Sequence, residues 1–279
     1  MARSEKNLTA VFTDTASAIR AKTGTTEEIC PLDFADKINE IPSADPSGLI
    51  EDFKNHLTYY NFTGTEIKGL SNADYTSTLT NMEQFFYNAE RIITIPQIDL
   101  SSVVRTVYMF AGCNSLKSLP PLEMPKAAYS EYMFQGCQNL TTIQKLYMPS
   151  LRRGPYMFWY CQKLTNIQDL GNPTIESANG MFGKCPSLEE VPPMDVHEVT
   201  YFGNTFDECT SLKAIHMRGM KASFDISAST LFTREALVEI LNNLGTITST
   251  ETLTMGATNL AKLTDEDKAI ATNKGWTLA

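Results

Sequence analysis

Six cysteines, three histidines and a few paired carboxylates are the residues of this chain best equipped for chemistry. Structural zinc sites pair cysteines two to four residues apart. Here Cys113, Cys137, Cys161, Cys185 and Cys209 stand 24 residues apart, with Ala89 one step earlier in the same series. A position that takes alanine or cysteine asks for a small apolar side chain, which is how a free buried thiol behaves. Parallel Cα–Cβ directions at strand spacing also meet disulfide geometry badly. The series therefore predicts a ladder of free buried thiols, and Cys30, outside it, an ordinary core residue. His56, His197 and His216 share no phase, the last two being 19 residues apart. Glu189 and Glu190 fit a solvated surface, and Asp265 and Asp267 fit the first turn of a helix. HExxH, GxxxxGK[ST], GxSxG and GxGxxG are all absent. No catalytic residue, metal ligand or cofactor site is predicted. Tyr108, Tyr132 and Tyr156 share one column beside Met109, Met133 and Met157. Such a row suits either an aromatic strip for sugars or packing beside the core, and its position favours packing.

The elements that would carry these residues follow from the same period. Phe86, Phe110, Phe134, Phe158, Phe182 and Phe206 recur every 24 residues. So do Ile92, Leu116, Leu140, Leu164, Leu188 and Leu212, and Ile95, Leu119, Ile143, Ile167, Val191 and Ile215. A further column holds Val103, Ala127, Leu151, Ile175 and Val199. A fixed period in the range of about 20–29 residues is the mark of a leucine-rich solenoid. Each unit is too small to bury its apolar side alone, so stacked units share one core. The expected fold is an α/β solenoid with short parallel strands over residues 82–222. Six rungs at strand spacing make a rod of roughly 25–30 Å. Leu116, Leu119 and Leu122 should point inward. Pro96, Pro120 and Pro192, with Pro121 and Pro193 beside them, argue for very short strands followed by turns. Non-repeating residues fall between the core columns: Lys117 and Ser118, Thr141 and Thr142, Thr165 and Asn166, Glu189 and Glu190, Lys213 and Ala214, then Gln144 with Lys145, Gln168 with Asp169, and His216 with Met217. These are expected to form an extended outer face.

Composition narrows the partners. The 279 residues carry 23 Lys plus Arg against 32 Asp plus Glu, a formal charge of -9, with 42% apolar residues. That is a folded chain without the basic block that nucleic-acid binding needs. No stretch nears the roughly 20 apolar residues that span a bilayer, so membrane insertion is not expected. The opening MARSEKNLTAVF lacks the apolar core of a signal peptide.

The ends differ from the middle. Residues 1–41 read as a helical attachment or oligomerisation module: Leu8, Val11, Phe12, Thr15, Ala16 and Ile19 recur at helical spacing after Asn7, and Phe34, Ile38 and Ile41 follow Pro31. Residues 42–49 read as a linker and 50–81 as a lead-in and N-terminal cap, in which Phe62 and Leu79 keep the period. Residues 223–279 read as a C-terminal cap that closes the core and stops sheet extension. In it Thr233 caps a helix carrying Leu237, Ile240, Leu241 and Leu244 and stopped by Gly245. LTMGATNLAKL forms a strand and turn, Thr264 and Asp267 open a helix ending near Gly275, and Trp276 packs inward.

The unit MFxGCxxLxxIPxL, seen at Met109–Leu122, Met133–Leu146 and Met157–Leu170, resembles the BspA-type leucine-rich repeats of bacterial surface proteins and phage proteins. Ala89 stands for its cysteine, Gln144 and Gln168 for its proline, and GNPTIESANG lacks its usual bend. These departures bear on individual turns, not on the architecture. Thr13 to Ile41 is similar to an N-terminal segment of structural proteins of tailed phages and prophages, and Leu253 to Leu278 to the ending of phage-encoded repeat proteins. The resemblance implies a non-enzymatic virion component: a tail fibre, baseplate appendage or head fibre. It would join other virion proteins through residues 1–41 and present the solenoid to a host-surface glycan or protein, as a homo-oligomer. The alternatives are a bacterial repeat adhesin or protein-binding scaffold and, more remotely, a glycan-active enzyme, which would need a carboxylate pair at catalytic separation.

Overall fold

The computed structural model describes residues 80–279 except Arg91 and Pro96. The helical module of 1–41, the linker 42–49 and nearly all of the 50–81 lead-in, with Cys30, His56, Phe62 and Leu79, lie outside the described residues.

Backbone pairing repeats at the period of the sequence. Asn81, Arg105, Tyr129, Arg153 and Ser177 form a chain of parallel bridges, each to the residue 24 further on. A second line pairs β1 (Leu122–Glu123) with β3 (Leu146–Tyr147), Leu122 opposite Leu146. A third pairs β2 (Thr142–Ile143) with β4 (Asn166–Ile167), Ile143 opposite Ile167, and continues as β5 (Glu190–Asp195) beside β6 (Ala214–Arg218). Every pair is parallel, so successive coils run in the same direction, a repeat, solenoid-like arrangement.

Between the pairing lines lie the apolar columns. The six phenylalanines from Phe86 to Phe206 stack face to face, with centroids 5.0, 5.4, 5.5, 5.7 and 6.2 Å apart and ring planes within 8° of parallel. All are buried, as are the Leu, Ile and Val columns and Ala127. Each buried phenylalanine contributes about 1.5–3 kcal/mol by leaving water, and no unit could collect that energy without the next one.

The coils depart from strict period where the sequence loses its usual bend. Thr174 bridges Asp195, 21 residues on, whereas Met194 and Asp195 pair with Met217 and Arg218, 23 residues on. The register shifts between Val191 and Met194, at Pro192 and Pro193. The expectation that proline ends every strand fails here. β5 runs six residues through both prolines, because a bulge lets the sheet omit their missing N–H groups.

The C-terminal region holds the three helices seen among the described residues. Thr233 caps α1 (Arg234–Asn243) by accepting from the Ala236 N–H. Leu244 leaves it in extended geometry, so Gly245 is not the helix stop that was expected. Gly245 is needed for close approach instead: a Cβ there would lie 2.7 Å from Lys221 Cγ and 3.0 Å from the Met220 carbonyl. β7 (Phe224–Asp225), β8 (Glu251–Thr254) and β9 (Trp276–Leu278) form a parallel sheet. This three-stranded sheet belongs to the cap itself and is separate from the β5–β6 pair of the last coils. The predicted turn after β8 is a short helix, α2 (Gly256–Leu260). α3 (Asp265–Thr272) opens with the full capping box of Thr264 and Asp267. Trp276 is buried edge-on against Phe224, and its indole N–H donates to the Gly245 carbonyl at 2.9 Å.

Candidate binding surface

The turn that carries MFxGC is where local sequence and coil geometry meet most sharply. In each coil it holds two left-handed residues. One column is Gln84, Tyr108, Tyr132, Tyr156, Gly180 and Asn204, with φ of 55–61°, and the other is Asn88, Gly112, Gly136, Tyr160, Lys184 and Glu208, with φ of 55–77°. A side chain in this region costs about 1–2 kcal/mol. Along five of the six turns, both left-handed residues donate their N–H to the next coil: Tyr108 to Glu131, Gly112 to Gln135, Tyr156 to Asn179 and Tyr160 to Gly183, all at 2.8–3.0 Å. The strain is the cost of aiming backbone donors along the axis.

On this turn Tyr108, Tyr132 and Tyr156 stack at 4.6 and 5.1 Å, nearly parallel. Tyr87 meets Tyr108 edge-on at 5.9 Å and Trp159 meets Tyr156 edge-on at 5.3 Å. Beyond the row lies Gly180, where a Cβ would come within 2.4 Å of the Tyr156 ring. Each inner ring face is thus closed by a neighbour, so sugars cannot lie flat on the row. The tyrosines are half-buried, neither core nor a free aromatic platform. Burial, then the adjoining phenols and Glu131, push the Tyr132 phenol above its ordinary value. Two coils further along, the turn opens into a cavity of about 240 Å³ lined by Asn204, Thr205, Asp207, Glu208, Asp225 and Ser227 among others. Nothing in the spacing announced it. It lies where the chain leaves its 24-residue repeat.

The strand face holds the non-repeating residues. Lys117, Ser118, Thr141, Thr142, Glu189, Glu190 and Lys213 are exposed, and Thr165, Asn166 and Ala214 are half-buried. Thr165 and Thr141 donate their hydroxyls to the carbonyls of Thr141 and Lys117, one coil back, at 3.1 and 3.3 Å. Lys213 pairs with Glu189 at 2.9 Å. Met217 was expected on this face but is fully buried, because the shift in register between β5 and β6 turns it inward.

Cys113, Cys137, Cys161, Cys185 and Cys209 are free and buried. Each thiol donates to the carbonyl of the phenylalanine 27 residues earlier, at 3.0–3.1 Å. Burial pushes the Cys113 thiol up to about 12 and raises the others, so these sulfurs stay protonated and unreactive. The two described histidines are far apart in role. His197 sits between Asp195 at 2.7 Å and Glu198 at 2.9 Å, and His216 pairs with Glu239 of α1 at 2.7 Å. The Asp195 hydrogen bond and charge raise the His197 imidazole above its usual value. For Asp195, burial acts upward, but the His197 contacts and Arg218 outweigh it and hold the carboxyl low. Among the described residues, no group of three or more His, Cys, Asp or Glu is arranged to hold a metal ion. No helix among them is long and apolar enough to cross a membrane.

Parallel coils, a phenylalanine spine and the MFxGC turn make up a repeat, solenoid-like arrangement. Residues 130–251 match the BspA type leucine rich repeat region, in six copies. Residues 56–172 match a family described as a Mycoplasma protein of unknown function, DUF285. Together these findings support a BspA-like leucine-rich repeat protein. No curated protein matches the sequence.

Proposed function

We propose that the chain is a non-enzymatic virion protein of a tailed phage or prophage, a tail fibre, baseplate appendage or head fibre. Residues 1–41 dock it to other virion proteins and support a homo-oligomer, and the coils present a surface to the host. The observation that carries the binding role is the division within each coil. Core columns repeat, while the positions between them vary along the stack, as in Lys117, Thr141, Thr165, Glu189 and Lys213. Packing holds the first set, and the second is left to a partner. The virion assignment is supported by the resemblance of Thr13–Ile41 and Leu253–Leu278 to phage proteins. A bacterial repeat adhesin or scaffold is the second reading, favoured by the match to a Mycoplasma family. Immunogold labelling of particles purified from an induced culture of the source strain separates them. Gold on particles is expected. Label confined to cells or free protein supports the scaffold instead.

A further inference from the structure

The turn face combines a row of phenols with a polar cavity on one line. The inner ring faces of Tyr108, Tyr132 and Tyr156 are closed, so what the row offers is its edges and hydroxyls. Among the described residues none of these three hydroxyls has a hydrogen-bond partner within the protein, and all three side chains reach solvent. They recur with the ring spacing of 4.6 and 5.1 Å. A polymer of like units lying along the axis would offer each phenol the same group in turn.

The row leads to the cavity. Asn204 and Asp207 hold the turn positions of Tyr156 and Trp159 two coils on, about 10 Å further along the stack at strand spacing. The backbone bonds of Tyr156 to Asn179, Gly180 to Gly203 and Lys184 to Asp207 keep the three turns in step. Glu208 is neutralised by Lys184 at 3.3 Å, and one oxygen of Asp225 accepts from the Ser227 N–H at 2.7 Å. Asp207, the second oxygen of Asp225 and the Asn204 carboxamide remain to receive hydroxyl donors.

Charge selects among polymers. Acidic residues at the cavity and a net charge of -9 repel anionic chains. A basic peptide would meet the carboxylates, but the closed ring faces deny its cations the π contact that an open aromatic row would give. We propose that the turn face binds a neutral linear polysaccharide lying along the coil axis. Tyr108, Tyr132 and Tyr156 serve as repeated hydrogen-bonding rungs, and the Asp207–Asp225 cavity takes a sugar at one end. This deepens the reading of the coils as a surface-binding body and rests on it.

The test is affinity electrophoresis and calorimetry of the full chain with soluble linear β-glucan, mannan and galactan, beside hyaluronate and polylysine. One of the neutral polymers should bind. Changing Tyr108, Tyr132 and Tyr156 together to Phe keeps the stack and removes the hydroxyls. It should weaken binding about tenfold or more with the melting temperature unchanged, and Asp207→Asn should weaken it less. Binding of none of the three neutral polymers, tighter binding to hyaluronate or polylysine, or full affinity in the triple variant would overturn the proposal. Cell binding that neutral polymers do not compete sinks this proposal alone, whereas a protein absent from particles that also binds no cells sinks the virion reading.

Discussion

In the coils, a side chain owes its place to the same residue type one turn away; in the cap, each helix is tied by partners of its own. Phe134 is held between Phe110 and Phe158, and Cys161 bonds the Phe134 carbonyl. In the cap, Lys274 donates to the carbonyls of Leu241, Asn242 and Leu244 at the end of α1. Arg234 grips Asp267 with two bonds of 2.7 Å, joining α1 to α3, and buried Asn259 donates to Ser229 and Met255. The difference is one of redundancy. A ladder shares its energy among equivalent rungs, so damage in the middle is felt on both sides. The cap relies on unique contacts, so damage there stays local.

This contrast can be broken or sharpened by substitution. The largest effect is expected at Phe134→Ala, which opens a cavity in the middle of the spine and should cost about 3–5 kcal/mol in denaturant unfolding. A loss below about 1 kcal/mol would mean that the rungs are independent. Gly180→Ala comes next. It places a side chain at φ 61° against the Tyr156 ring and should cost about 1–3 kcal/mol, with a changed near-ultraviolet tyrosine signal. Thr264→Ala removes the cap of α3 and should cost about 1 kcal/mol. Hydrogen exchange should rise in α3 and β9 while the amides between Met109 and Phe182 keep their protection. Faster exchange throughout the coils would show that the two regions unfold as one.

The smallest effect is pH-dependent. The imidazole of His197 is raised by Asp195, so its contribution is complete below the unfolded value of about 6.5 and fades as pH rises through the higher folded value. Because the pair is exposed, the change should be slight. Melting scans at pH 6 and pH 8 should show a small fall in the native protein and a smaller one in His197→Gln. Equal falls would remove His197 from the account.

Much of the fold was legible because it repeats. Six phenylalanines at one spacing can be buried together only by stacking, and a column shared by Ala89 and five cysteines had to be small and apolar. Thr264 and Asp267 were readable as a cap because that bond pattern is local. Other features left little trace. Pro192 and Pro193 look like a strand stop until a bulge accommodates them, and the same shift buries Met217. β9 is three residues beside β8, recognisable only once its partner strand is in place. The cavity near Asp207 arises from the chain departing its path, which no column records.

The sequence alone determined the period, the identity of the core columns and the free state of the thiols, because burial of apolar side chains at a fixed interval admits few other packings. Tertiary structure decided the rest. It placed Tyr108, Tyr132 and Tyr156 in left-handed backbone, a conformation their residue type disfavours, because bonds to the next coil and the stacked rings offset the strain. Those contacts join residues that are distant in the chain, so local propensity carries no record of them.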